Sequence, residues 1–199
     1  WQFSLFDESI KRSTTKQMIE KQIARVPEDR SEIGMIGEMT VDENLVLEDY
    51  GDPRFQKWGW LLRRNIQKHA EDLCEKFDIR GSTEVRTAKT LSGGNIQKLI
   101  LARVLSKNPK LIIASQPTRG LDIGAASEVH QRLLAARANG VGVFIVSEDL
   151  EELLTLCDRI SVIFEGSISR SIAIEDANIE KIGLMMAGED FVMNSTNAI

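Results

Sequence analysis

The residues best suited to chemistry lie where one helical pattern begins. Ser92, Gly93, Gly94 and Asn95 precede apolar residues at positions 96, 99, 100 and 104, a spacing typical of a helix with one buried face. Ser92 is a good N-cap residue, and the two glycines allow a ligand to approach the backbone closely. The N–H groups and the positive dipole end of such a helix favour a phosphate. Taken alone, these residues are better explained as the plain start of a helix after a loop.

A second polar group follows an apolar run. Leu111–Ala114 has the pattern of a buried parallel strand, and it passes through Ser115, Gln116 and a proline into the turn Gly120-Leu121-Asp122. Asn108-Pro109 separates this strand from the preceding helix. The order is therefore helix, short turn, strand and polar loop.

This series resembles the ATP-binding subunit of an ABC transporter. In that family Leu-Ser-Gly-Gly is the signature motif, which closes over ATP held by the opposite lobe, the strand is Walker B, and Gly-Leu-Asp is the D-loop. The resemblance implies a phosphate-binding role for the hydroxyl and backbone N–H groups at the helix start. The nucleotide-binding residues that it implies are Ser92, Gly93, Gly94, Asn95, Gln97, Glu28, Ser115 and Asp122.

The run Val26-Pro27-Glu28-Asp29-Arg30 follows a predicted strand at 23–26. ABC proteins carry a Gln here, on the loop that couples the nucleotide to the membrane subunit. The form of this run resembles the second ATP-binding half of sugar and nucleoside importers. Glu28 is either a solvated turn residue or, as the resemblance favours, part of the coupling loop.

Three positions depart from the family pattern. The Walker B Asp that orients Mg²⁺ and the following Glu that activates water are replaced by Ser115 and Gln116, and the switch His is replaced by Glu148. A neutral hydroxyl is a poor Mg²⁺ ligand, and an amide cannot act as a general base. Gln116 and Glu148 occupy the positions that the family uses for catalysis. We therefore expect this lobe's own site to hydrolyse ATP poorly or not at all. The histidines, His69 and His130, lie on predicted helices and are expected at the surface.

The sequence contains no GxxxxGK[ST] phosphate loop. The simplest expectation is that the chain is the C-terminal portion of a longer ATP-binding lobe, and the alternative is a lobe that has lost the loop. On either account the isolated chain is expected to be inactive as an ATPase.

Composition narrows the class of protein. The chain has 199 residues, 42% of them hydrophobic and 28% charged, as in ordinary globular domains. A net charge of -5 without a Lys/Arg block argues against nucleic acid as a partner. No apolar run is long enough to cross a bilayer. Cys74 and Cys157 have no metal-ligand spacing, so no metal site is predicted on the protein itself.

The predicted fold class is α/β: a P-loop NTPase-like (ABC ATPase) three-layer fold with an inserted helical subdomain, its N-terminal phosphate-loop portion absent. The core comprises residues 1–35 and 108–172, the signature subdomain 36–107, and a C-terminal helical tail 173–199.

Local signals add detail to this plan. The sequence also predicts capping boxes at Thr14 and Thr40 and a strand at the start of the chain. Further along it predicts an amphipathic helix from Leu62 to Phe77, a buried strand at 141–146 and a hairpin at Glu165-Gly166. The residues just before the long helix, Trp58 and Trp60, are either core or a permease contact, with core favoured.

The resemblance implies ATP-dependent import of a sugar or nucleoside at the cytoplasmic face of the membrane. ATP and Mg²⁺ would be the cofactors, and the partners would be a second ATP-binding lobe, a membrane permease and, indirectly, an extracytoplasmic solute-binding protein. One alternative is a regulatory lobe that binds no nucleotide. Another is a chromosome-maintenance ATPase head, which would need coiled-coil heptads that this sequence lacks.

Overall fold

The computed structural model describes residues 3–6, 8–10, 12–81 and 87–189. The chain forms two compact units, residues 1–146 and 147–199. Trp1 and Gln2 of the predicted first strand, and the end of the predicted tail, lie outside the described residues. Within the described part, no helix is both long and apolar enough to cross a membrane.

The first unit alternates strands with helices. In chain order its described elements are β1 (Phe3–Leu5), β2 (Glu8–Ile10), α1 (Thr15–Glu20), β3 (Ile23–Val26), α2 (Val41–Leu45), β4 (Gln56–Lys57), β5 (Trp60–Leu61), α3 (Arg63–Lys76), α4 (Gly93–Leu105), β6 (Leu111–Ser115), α5 (Ile123–Ala138) and β7 (Gly142–Val146).

A three-stranded parallel sheet in the order β3-β6-β7 confirms the α/β class. Ile23 pairs with Leu111, and Ser115 pairs with Val146, so the carboxyl ends of β6 and β7 lie together. Ile112 and Ala114 of the central strand are fully buried.

The prediction of a buried strand at 141–146 was wrong for one face of β7. Phe144 is 59% exposed and Val146 is also exposed, whereas Val143 and Ile145 are partly buried. The alternating burial shows that only the face of β7 carrying Val143 and Ile145 is covered, and α5 packs against this strand. An apolar run alone does not indicate whether one face of a strand or both are covered.

The described elements between β3 and β6 include the helices α2, α3 and α4 and the hairpin β4–β5, and buried polar groups link some of them. The Asn44 side chain is fully buried; its oxygen accepts from the Ile36 N–H at 2.8 Å, and its nitrogen donates to the Thr40 carbonyl at 3.0 Å. Arg103 of α4 donates to the carbonyls of Gly34 (2.6 Å) and Asn44 (3.3 Å), and burial lowers the pKa of Arg103. These contacts link α4 to the loop after β3 and to α2.

The capping boxes and the long amphipathic helix are confirmed. Thr14 and Thr40 cap α1 and α2, and Ile66, Ala70 and Leu73 are the buried stripe of α3.

The histidines, which were expected at the surface, are both partly buried. The imidazole of His69 on α3 lies 5.0 Å from the Phe55 ring, centroid to centroid. Phe55 is buried against that helix, so it covers one side of the imidazole.

Of the two alternatives for Trp58 and Trp60, the core position was wrong, and the permease contact stays a prediction. They belong to the two-stranded hairpin β4–β5 and are 91% and 80% exposed. The hairpin turn at Trp58-Gly59 has positive φ at both residues. Phe55, just before the hairpin, fills the core position instead.

The second unit is a helix pair with short antiparallel strands. The predicted hairpin is confirmed: Phe164 pairs with Ser167 across the Glu165-Gly166 turn. Ile160, Val162, Ile182 and Met185 form its buried cluster. Its elements are α6 (Leu150–Leu156), β8 (Arg159–Ile160), β9 (Ile163–Phe164), β10 (Ser167–Ile168), β11 (Ile172–Ala173) and α7 (Ile179–Met186).

Candidate functional site

The start of α4 is held in a defined geometry. Ser92 is its N-cap, as predicted, and is exposed. The Ser92 hydroxyl accepts from the Asn95 side-chain nitrogen at 2.9 Å, and the Asn95 oxygen accepts from the Arg80 N–H at 2.7 Å. Asn95 therefore orients the Ser92 hydroxyl and links it to the chain that follows α3.

Gly93 and Gly94 are not required by packing within the first unit. A Cβ atom on Gly93 would lie 3.5 Å from the Arg30 guanidinium, and one on Gly94 would lie 3.4 Å from the Ala125 Cβ, both ordinary contact distances. Neither glycine has a positive φ. Because the chain leaves room for a side chain at both positions, close approach of an external group is the better reason for glycine here.

Gln97 lies on the buried side of the same helix. Its side chain is 2% exposed, and its nitrogen donates to the Pro117 carbonyl at 2.7 Å. The structure thus separates Gln97 from the exposed Ser92 and places it between α4 and the loop after β6. Its amide fixes that loop relative to the helix.

Ser115 and Gln116 lie at the carboxyl end of β6. Ser115 is the last strand residue, and the Gln116 N–H donates to the Val146 carbonyl at 2.7 Å. Gln116 has a φ of 47°, so the chain turns sharply at this residue. Further along the loop, the exposed Asp122 caps α5 by accepting from the Ala125 N–H at 2.9 Å.

Glu28 forms an ion pair with Arg119 of the loop after β6. Arg30 lies beside it and donates to the carbonyls of Arg119 (2.8 Å) and Gly120 (3.2 Å). The same guanidinium lies near Gly93. One cluster of side chains therefore connects the loop after β3, the loop after β6 and the start of α4.

Sequence reasoning missed Arg30 and Arg119. Both residues are visible in the Val-Pro-Glu-Asp-Arg and Pro-Thr-Arg-Gly runs, but their contacts join positions about 90 apart. Complementary charge between Glu28 and Arg119 was the available signal, although it does not single out one pair among many charged residues.

Lys98 links α4 to α5 and to the chain that follows α3. Its ammonium lies 2.9 Å from the Glu128 carboxylate on α5 and 3.0 Å from the Asp78 carboxylate after α3. Burial alone would lower the pKa of Lys98, but the hydrogen bonds to Glu128 and Asp78 outweigh burial and raise it. Lys98 is thus a structural cation.

Glu148 belongs to the second unit. It is exposed and immediately precedes Asp149, the N-cap of α6. Ser92, Asn95, Glu28, Arg119, Gln116 and Asp122 all belong to the first unit.

The side chains at the end of β6 do not fit a magnesium ion. Ser115 and Gln116 offer a neutral hydroxyl and a neutral amide, whereas Mg²⁺ binds at carboxylates and phosphates. Among the described residues, no group of His, Cys, Asp and Glu side chains could hold a metal ion. The exposed start of α4 fits a phosphate group instead, because it combines a hydroxyl with a helix N-terminus.

Solved structures place the fold among ATP-binding cassettes. A dimeric cassette in a post-hydrolysis state, bound to ADP and phosphate, superposes with a TM-score of 0.68 at 21% identity, over 87% of this chain and 73% of that one. A nucleotide-free cassette from an ABC transporter gives 0.67 at 21% identity, over 93% and 73%. The predicted ABC ATPase fold is therefore confirmed.

The family model described as ABC transporter matches residues 3–119, and the chain belongs to this family. It is 42% identical to the nucleoside import ATP-binding protein NupA of Lactococcus lactis, over 92% of this chain and 36% of the relative. It is 43% identical to the glucose import ATP-binding protein TsgD13 of Haloferax volcanii, over 88% and 32%. The chain spans about a third of the length of these relatives.

Proposed function

We propose that this chain is part of the ATP-binding component of an importer for a nucleoside or a sugar. The observation that carries the proposal is the identity of about two residues in five to nucleoside and glucose import ATP-binding proteins, over nearly the whole chain. The identity includes most of both compact units.

Ser92, Gly93 and Gly94 would contact the γ-phosphate of an ATP molecule held by a second ATP-binding lobe. Three features support this role: the exposed helix start, the Asn95 side chain that orients the Ser92 hydroxyl, and the glycines whose Cβ positions are unobstructed. A hydroxyl and backbone N–H groups directed at a phosphate stabilise the charge that moves during hydrolysis.

The lobe's own catalytic position is degenerate in this proposal. Ser115 and Gln116 lack the carboxylates that would orient Mg²⁺ and water, and Glu148 stands where the family has its switch His. Mg²⁺ would be held in the partner lobe's site. Glu28 and Asp122 lie on the loops after β3 and β6, and the Glu28–Arg119 ion pair gives these loops a direct link. That link is the expected route between nucleotide and permease.

The remaining partners are a membrane permease and an extracytoplasmic solute-binding protein, with this component at the cytoplasmic face of the membrane. A regulatory lobe without nucleotide is the second candidate, favoured by the neutral pair Ser115 and Gln116. The chromosome-maintenance alternative has less support, since the longest described helix between β3 and β6 is α3 with 14 residues.

The test compares Ser92→Arg with Gln116→Ala in a reconstituted transporter at saturating ATP. A bulky cation at the start of α4 opposes the helix dipole and blocks the phosphate. Loss of this donor is expected to cost about 3 kcal/mol, roughly a hundredfold in ATPase rate. Gln116→Ala should change little, because Gln116 already lacks a base. Equal loss in both variants would contradict the degenerate site, and no loss in either would favour the regulatory lobe.

A further inference from the structure

The hairpin β4–β5 carries aromatic side chains that its own fold leaves bare. Trp58 is 91% exposed, Trp60 is 80% exposed and Leu61 is 49% exposed. Side chains of this size bury large apolar areas when they find a partner. Several exposed apolar side chains on one short hairpin indicate an interaction surface.

The hairpin turn adds a second observation. Lys57 pairs with Trp60, so Trp58 and Gly59 are the two turn residues. Their φ angles are 57° and 84°. The first position of such a turn usually carries Asn, Asp or Gly, since a bulky side chain at positive φ is strained. Strained residues of this kind concentrate at functional sites, so the tryptophan at this tip calls for a functional reason.

The base of the hairpin is firmly packed. Phe55 is buried with Val46 and Ile66, and its carbonyl accepts from the Leu62 N–H at 2.8 Å. Asn65 donates to the Arg54 carbonyl at 2.9 Å. The tip is thus presented on a supported stem, and replacing its exposed residues leaves the core intact.

The charge of the segment is of one sign. Residues 54–64 contain Arg54, Lys57, Arg63 and Arg64 and no acidic residue, in a chain whose net charge is -5. Arg54 is paired with Asp52. Lys57, Arg63 and Arg64 are exposed and form no ion pair within the described part of the chain. The segment therefore carries three cations without an ion pair among the described residues, and two exposed indoles.

We propose that residues 54–64, here called the tryptophan hairpin, bind the surface of an anionic phospholipid bilayer. Trp58 and Trp60 enter the headgroup layer, where an indole finds both apolar and polar surroundings. Lys57, Arg63 and Arg64 meet the lipid phosphates. This property goes beyond nucleotide binding and transport, and does not depend on them.

A bilayer suits this surface better than a protein does. The permease contact that the resemblance implies for Trp58 and Trp60 would require a pocket for each protruding indole and acidic groups near both. An anionic bilayer supplies an adaptable apolar boundary and negative charge together, and basic residues flanking aromatic ones are typical of membrane-surface segments.

The experiment is co-sedimentation of the 199-residue chain with vesicles. We expect binding to phosphatidylcholine mixed with phosphatidylglycerol, weaker binding to phosphatidylcholine alone, and loss of binding at high salt. Trp58→Ser with Trp60→Ser should weaken binding by about tenfold or more. Lys57→Gln with Arg63→Gln should weaken it by roughly 25-fold, about fivefold for each cation.

The matched control is the second hairpin, β9–β10, whose Ile163 and Ile168 are 65% and 63% exposed. Ile163→Ser with Ile168→Ser should leave vesicle binding unchanged. Equal loss in this control, or binding that ignores lipid charge, would overturn the proposal. Absence of vesicle binding would also overturn the proposal. The same holds if a photo-crosslinker at Trp60, in a membrane-reconstituted transporter, labels only protein and no lipid. None of these results bears on the ATPase test above, so the two proposals fail separately.

Discussion

Among single residues, Arg30 holds the loop after β6 most directly. Its guanidinium donates to two successive carbonyls, those of Arg119 and Gly120. We predict that Arg30→Ala destabilises the protein by about 1 kcal/mol, because both charge-assisted hydrogen bonds are lost at a partly exposed site. Amide hydrogen exchange should accelerate at residues 118–121.

Two further variants test whether the Arg30 guanidinium is responsible for the protection of the loop. Arg30→Lys should recover only part of the protection, since an ammonium lacks the planar pair of donors that two neighbouring carbonyls require. Arg64→Ala removes an exposed cation far along the sequence and should leave exchange in the loop unchanged. Unaltered exchange in Arg30→Ala would show that the loop is held by Gln97 and Pro117 instead.

His69 gives the protein a pH-dependent element. Burial, helped by the nearby Arg54, lowers the pKa of His69, while Asp49, Asp72 and Asp52 act in the opposite direction. The folded state therefore favours the neutral imidazole. Its contribution to stability is complete above the unfolded value of about 6.5 and is lost as the pH falls through the lower folded value.

We predict that the wild-type chain loses stability relative to His69→Gln as the pH falls from about 8 to about 5. Urea unfolding of both proteins across this range measures the difference. Arg54→Gln removes the nearby cation that lowers the pKa of His69. The loss of stability on acidification should therefore be smaller in Arg54→Gln than in the wild type. Parallel stability curves for the wild type and His69→Gln would contradict the assignment.

Among elements, the closest packing joins α4 to the loop after β3. A Cβ atom on Gly34 would lie 2.4 Å from the Ile100 Cδ1, and 2.6 Å from the Arg30 carbonyl oxygen. The Gly34 carbonyl is also an acceptor for Arg103. Gly34 therefore has no room for a side chain between the loop and the helix.

We predict that Gly34→Ala destabilises the protein by about 2–3 kcal/mol through overpacking. Gly51→Ala is the control, because a Cβ atom there meets nothing within 4 Å, and it should have little effect. The two urea midpoints test this directly. Similar midpoints would show that the loop relaxes around the added methyl group.

The elements that sequence predicted well have strong local signals. Thr14, Thr40 and Ser92 each precede their helix with N-cap chemistry, and the caps form as predicted. The failures concern tertiary surroundings: the side chains of Trp58 and Phe144 are apolar, but which face is covered depends on distant elements. Hydrophobicity alone cannot supply that information.

The site was predictable to a similar degree. The motif predicted the helix start at Ser92, which the structure confirms, whereas packing within the chain gives no reason for glycine at position 93. The inward direction of Gln97 and the contacts of Arg30 were not predictable, because both depend on the loop after β6 lying against α4. No local pattern encodes that contact.

At the scale of the whole molecule, the predicted site residues belong to two compact units. The signature residues and Gln116 lie in the first, and Glu148 lies in the second. The proposed domain limits at residues 36, 108 and 173 stay a prediction. In the proposed function the donors of α4 contact only the γ-phosphate, so tight nucleotide binding would need a second source of phosphate contacts.

This requirement leads to a prediction for the isolated chain. Its 199 residues contain no GxxxxGK[ST] run, and Ser115 and Gln116 supply no carboxylate. We expect weak Mg-ATP binding and no turnover. We also expect that Ser115→Asp with Gln116→Glu adds no ATPase activity, because the restored carboxylates would have no bound γ-phosphate to act on. Calorimetry and steady-state ATPase assays measure both. Micromolar binding, or hydrolysis by the double variant alone, would show that these residues bind nucleotide without a phosphate loop.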